Sequence, residues 1–74
     1  MAETTIDCTG LMCPLPIIEI NKKMSTLNKG DILKIEADDP AFEPDIKAWA
    51  KRTNNPLLAI EKKDNLTTII LEKA

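Results

Sequence analysis

Thr4-Thr5-Ile6-Asp7-Cys8-Thr9-Gly10-Leu11-Met12-Cys13-Pro14-Leu15-Pro16 leads from a strand through a turn into a helix, and this order sets the reading of the chain. The β-branched residues at its start predict a strand over residues 4–8, ended by Thr9-Gly10. Gly10 is expected to supply the positive φ of a strand-to-helix turn, and Asp7 to accept turn amides as an Asx-type residue. Pro14 at the first helical position has no N–H to leave unpaired and a preset φ, and it biases Cys13 towards the extended backbone of an N-cap. Pro16 removes a second N–H and permits a register in which the regular helix starts there. In either register the amides near Cys13 reduce chiefly to those of Leu15 and Ile17, a stiff rim that holds the sulfur outward. The sulfur of Cys13 thus falls just ahead of a helix N-terminus, where partial positive charge favours a thiolate.

Working outward, Ile17, Ile20, Met24 and Leu27 follow the spacing of one helix face, predicting a helix over residues 14–28 with Gly30 beyond its end. Lys22 and Lys23 fall on the opposite, solvated face. Residues 31–37 alternate, with Leu33, Ile35 and Ala37 on one side, as a strand with one buried face does. Phe42, Ile46, Trp49, Ala50 and Thr53 mark a second amphipathic helix whose apolar face belongs to the core. Pro44 predicts that its regular part starts there, after an irregular turn at residues 40–43, with Asp38 and Asp39 favouring the helix end. A loop at residues 54–56 precedes strands at 57–62 and 66–73, joined by a tight turn at Asp64-Asn65. The order is β-α-β-α-β-β. Crossovers of this length favour parallel pairing, and the last hairpin is antiparallel. The expected fold is α/β (α+β): a two-layer sandwich of a four-stranded mixed sheet with both helices on one face.

Seventy-four residues suffice for a single domain, residues 1–74, and leave no room for a large substrate cavity. A domain of this size buries only about 60–65% of its unfolded surface, so its stability margin is narrow. No signal peptide or membrane-spanning run is visible, and the expected location is cytoplasmic. A net charge of −2 with scattered Lys and Arg offers no basic stripe, which argues against nucleic acid as a partner. Two cysteines in such a chain point to reactive thiols rather than a disulfide framework. They are too few for a zinc site, and no histidine completes one, so neither metal nor cofactor is expected. The absence of histidine also removes the usual base for a cysteine nucleophile.

The pattern Asp-x-x-Gly-x-x-Cys-Pro-x-Pro, at Asp7, Gly10, Cys13, Pro14 and Pro16, resembles the TusA-like (SirA-like) family of sulfur carriers, and the likeness extends over nearly the whole chain. The resemblance implies strand order 1-2-4-3. It also implies that Cys13 is the nucleophile that holds sulfane sulfur as a persulfide, acting stoichiometrically between partner proteins. Gly10, Pro14 and Pro16 would position it. The implied donor is a cysteine desulfurase, a rhodanese or a DsrE-like protein. The implied acceptor serves tRNA thiolation, molybdenum cofactor assembly or sulfur-compound oxidation. The free protein is expected to be a monomer.

Where many relatives carry Arg or another polar residue before the cysteine and Glu between the prolines, this chain has Met12 and Leu15. Loss of that cation leaves the helix end as the main candidate for activating the thiol. Met12 and Leu15 fit either an apolar docking rim or a cover over the core edge. Cys8, at a strand end, reads as a filler of the core edge, with a second role as a resolving thiol left open. Two rival functions stand beside the carrier: a thiol–disulfide redox protein using Cys8 and Cys13, and a non-catalytic regulatory interaction module.

Overall fold

The computed structural model describes residues 3–74. Strands β1 (Glu3–Asp7), β2 (Ile32–Ala37), β3 (Leu57–Lys63) and β4 (Leu66–Glu72) alternate with helices α1 (Leu15–Met24) and α2 (Phe42–Thr53) in the expected order. The sheet runs β1-β2-β4-β3. β1 pairs with β2 in parallel, Ile6 opposite Ile35, while β4 lies antiparallel to both β2 and β3. Mixed pairing follows from the connections: a helical crossover returns β2 alongside β1, and the two-residue turn at Asp64-Asn65 reverses β3 into β4.

Alternation along the two central strands decides which face is covered. Leu33, Ile35 and Ala37 of β2 and Ile69 and Leu71 of β4 are buried, each separated by a partly exposed residue. They join Ile20 and Met24 of α1 and Phe42, Ile46 and Trp49 of α2 in one cluster, so both helices pack on the same face of the sheet. Ile17 and Leu27 pack at its margin.

Both helices differ from expectation at an end. α1 stops at Met24, before residue 28. Ser25 and Thr26 turn their hydroxyls onto the carbonyls of Lys22 and Lys23, each at 2.6 Å, and so supply donors to acceptors in the last turn of the helix. The amides of Thr26 and Leu27 then bond only three residues back, to Lys23 and Met24. α2 begins at Phe42 rather than at Pro44. Pro44 becomes its third residue, within the first turn, where an N–H has no intrahelical acceptor and its absence costs nothing. At the far end Asn54 adopts a left-handed φ of 60° and stops the helix. β3 is one residue longer than expected and β4 one shorter.

Candidate functional site at the carboxyl ends of the parallel strands

Parallel pairing of β1 and β2 brings the carboxyl ends of both strands to one edge of the sheet. The segment leaving β1 therefore meets the segment leaving β2. In the first, Cys8 extends the ladder by donating its N–H to the Glu36 carbonyl at 2.7 Å. Asp7 Oδ1 then accepts the N–H of Thr9 at 2.9 Å and its hydroxyl at 2.6 Å, the expected Asx-type turn, which holds the Asp7 carboxyl below its usual value. Gly10 has a φ of +81°, and a Cβ there would touch nothing, so backbone conformation alone calls for glycine.

Two aspartates from the second segment grip the first. Asp38 Oδ1 accepts the Gly10 N–H at 2.9 Å, and Asp39 Oδ2 accepts the Cys13 N–H at 2.8 Å. Asp39 also starts α2: its Oδ1 accepts the Ala41 N–H at 3.1 Å and its carbonyl the Phe42 N–H at 3.0 Å. One side chain thus fixes both the cysteine and the neighbouring helix. A third acid, Asp45 in the first turn of α2, reaches the sulfur itself, and the Cys13 thiol donates to its Oδ2 at 2.7 Å.

This environment overturns the expectation of a helix-activated thiolate. Pro14 is the residue before α1 and not its first, Leu15 and Pro16 open the helix, and no side chain caps it; the Cys13–Pro14 peptide bond is cis. The Leu15 N–H is already taken by the Met12 carbonyl at 2.8 Å, and neither proline has one to offer. Few donors remain to stabilise a negative sulfur. The hydrogen bond to Asp45 instead pushes the Cys13 thiol above the ordinary cysteine value, and desolvation and the charges of Asp45 and Asp39 act the same way. At rest, Cys13 is a thiol.

The other marked residues separate clearly. Cys13 is exposed whereas Cys8 is 1% exposed in the core, and both are free. Burial, then the charges of Glu19 and Asp7, raises the Cys8 thiol. Cys8 is a core filler, and the redox reading loses its second accessible thiol. Met12 is 71% exposed and Leu15 48%, so neither covers the core edge, and with Ile18, 43% exposed in the next turn of α1, they leave apolar side chains open to solvent. Phe42 and Trp49 are core, as expected. Two grooves, of about 480 and 430 Å³, lie between α2 and β3 and beside β1 and α1; Cys13 lines neither. Among the described residues no helix is long and apolar enough to cross a membrane.

Sequence reasoning missed Asp38, Asp39 and Asp45 as site residues. A usable signal was present. Once β1 and β2 are read as parallel, acids just after β2 must face the cysteine turn just after β1.

Residues 4–73 match the profile of the family described as Sulfurtransferase TusA. A protein of Aquifex aeolicus, provisionally named a sulfur carrier protein, is 42% identical over 72 residues, which are 97% of this chain and 36% of that protein. The chain therefore spans little more than a third of that relative. The sulfur carrier protein TusA of Allochromatium vinosum is 32% identical over 69 residues, covering 93% of this chain and 91% of its own length. The crystal structure of a SirA-like protein from Desulfitobacterium hafniense superposes with a TM-score of 0.81 at 21% identity, covering 93% of this chain and 95% of that one. That likeness is one of fold.

Proposed function

The chain belongs to the sulfurtransferase TusA family, and from that premise we propose that residues 1–74 form a sulfur-carrier domain in which Cys13 takes up sulfane sulfur as a persulfide. A donor protein presents R–S–SH. The sulfur of Cys13 attacks its outer sulfur, the donor S–S bond breaks, and the electron pair of that bond stays on the donor sulfur. The donor sulfur takes the proton that Cys13 gives up. The sum is Cys13–SH + R–S–SH → Cys13–S–SH + R–SH. The reverse step, on an acceptor thiol, empties the carrier.

One observation carries this reading: of the two thiols, only Cys13 is exposed, and it stands on a turn ringed by exposed Met12 and Leu15 rather than in a groove. Such a sulfur suits a substrate that arrives on another protein, with the apolar rim as its landing surface. The raised proton affinity of Cys13 fits a carrier that stays quiet until a partner docks, since thiolate and not thiol is the nucleophile. A cysteine desulfurase, a rhodanese or a DsrE-like protein suits the donor role. The acceptor belongs to tRNA thiolation, molybdenum cofactor assembly or sulfur-compound oxidation in the cytoplasm.

The test is sulfur loading followed by intact-protein mass spectrometry. Wild type and Cys8→Ser should each gain one sulfur from a loaded donor, and Cys13→Ser none. Equal loading of wild type and Cys13→Ser would refute the proposal.

A further inference from the structure

The contact between Cys13 and Asp45 exists in only one of the two states that a sulfur carrier must visit. The unloaded sulfur has a hydrogen, and the structure shows it donated to Asp45 Oδ2 at 2.7 Å. After loading, the same sulfur is the inner atom of a persulfide, bonded to Cβ and to the outer sulfur, with no hydrogen left. Lone pairs on sulfur and carboxylate then face each other, and the remaining hydrogen sits one bond further out. If the outer sulfur ionises, its charge is also repelled by Asp45 and Asp39, the carboxylates bonded to the thiol and to the amide of Cys13. The ion pairs of the described residues, Lys22–Glu19, Lys47–Glu43 and Lys62–Glu43, place no cation on Asp45 or Asp39 to offset this.

We propose that Asp45 is a positioning residue that anchors the empty carrier and releases the loaded one, biasing the protein towards delivery of its sulfur. The inference rests on the persulfide reading of Cys13 and adds a direction to it. Asp45 stabilises the Cys13–SH side of the exchange alone. It therefore makes Cys13–S–SH a better sulfur donor and leaves its outer atom free to face an acceptor. The placement is rigid: Asp45 lies in the first turn of α2, and its N–H is bonded to the Ala41 carbonyl at 3.3 Å. A hydrogen bond to a charged acceptor at an exposed site corresponds to about a tenfold change in the exchange equilibrium.

The experiment compares wild type with Asp45→Asn, which keeps the shape and removes the charge, and Asp45→Ala, which removes the acceptor, each checked for native circular dichroism. Each is equilibrated with mixtures of glutathione persulfide and glutathione, and the loaded fraction is read by intact-protein mass spectrometry. Asp45→Ala should hold its sulfur against about tenfold more glutathione than wild type does, with Asp45→Asn between them. In parallel, iodoacetamide reacts with the unloaded proteins across a range of pH, with Cys13→Ser as the background for Cys8. The alkylation midpoint should move to lower pH in both Asp45 variants. For each tenfold gain in thiolate fraction the rate at neutral pH should rise about threefold, because a less basic thiolate is also less nucleophilic. An unchanged glutathione partition in the variants overturns the proposal, even with a shifted alkylation profile. If wild type acquires no sulfur on Cys13, it is the carrier reading that fails, and this inference falls with it.

Discussion

Replacing Asp39 by alanine should loosen the cysteine turn and the start of α2 together. The carboxylate accepts two backbone donors, the amides of Cys13 at 2.8 Å and Ala41 at 3.1 Å. The carbonyl that accepts Phe42 survives the substitution. Both freed amides lie where water can reach them, so each loss counts at the net value of a hydrogen bond, about 0.5–1.5 kcal/mol, and not at the cost of a buried orphan. The sum is about 2 kcal/mol, in line with removal of a helix-capping side chain plus one tertiary bond. Relief of repulsion offsets little of this, because Cys13 is a neutral thiol at rest. A chain of 74 residues has a total stability of roughly 4–11 kcal/mol, so the loss is a substantial fraction of it. In a domain of this size, about 2 kcal/mol lowers the melting temperature by roughly 8–16 °C. Asp39→Asn keeps one acceptor, and Asp38→Ala removes a single bond to Gly10, so each should show about half the effect. Thermal and urea unfolding at neutral pH, followed by far-ultraviolet circular dichroism, measure the series. The reasoning fails if Asp39→Ala lies within 0.5 kcal/mol of wild type, or if Asp38→Ala proves the more damaging.

Cys8 should resist alkylation in the native protein and react only on unfolding, so native thiol titration gives one fast equivalent and denatured titration two; two fast native equivalents would contradict its burial. Glu43, bonded to Lys62 at 2.5 Å and Lys47 at 2.9 Å, has its carboxyl lowered to about 2 by these partners. Because the folded value is depressed, its contribution is full above the unfolded value near 4.5 and fades as pH falls towards about 2. Wild type should therefore melt above Glu43→Gln at neutral pH, by a small margin given the exposed lysines, and the two should converge in acid. A gap that persists unchanged at the lowest pH would exclude this account.

Much of the architecture is legible along the chain because its causes are local. Alternation at Leu33, Ile35 and Ala37 and helical spacing at Ile20, Met24, Ile46 and Trp49 report which side of each element faces the core. Helix ends were less legible. At Ser25 and Thr26 a weak helix preference meets hydroxyls able to bond the preceding turn, and residue type alone does not say which prevails. Pro44 fits the first position of a helix and equally the third position of a first turn, and residue type does not choose between them. The strand order 1-2-4-3 came from the family resemblance and is the order observed.

The chemistry at the sulfur divides differently. The sequence by itself determined that Cys13 stands on a proline-bounded turn between a strand and a helix, that Gly10 must turn the backbone, and that no histidine attends the thiol. Only the tertiary structure decided the sulfur's charge state. Asp39 and Asp45, 26 and 32 residues away along the chain, reach Cys13 because two strands run parallel and release their following segments at one edge. Electrostatic energy depends on separation in space, and a bond of 2.7 Å to a carboxylate outweighs a helix end at which the Leu15 amide is already bonded and Pro14 and Pro16 have none.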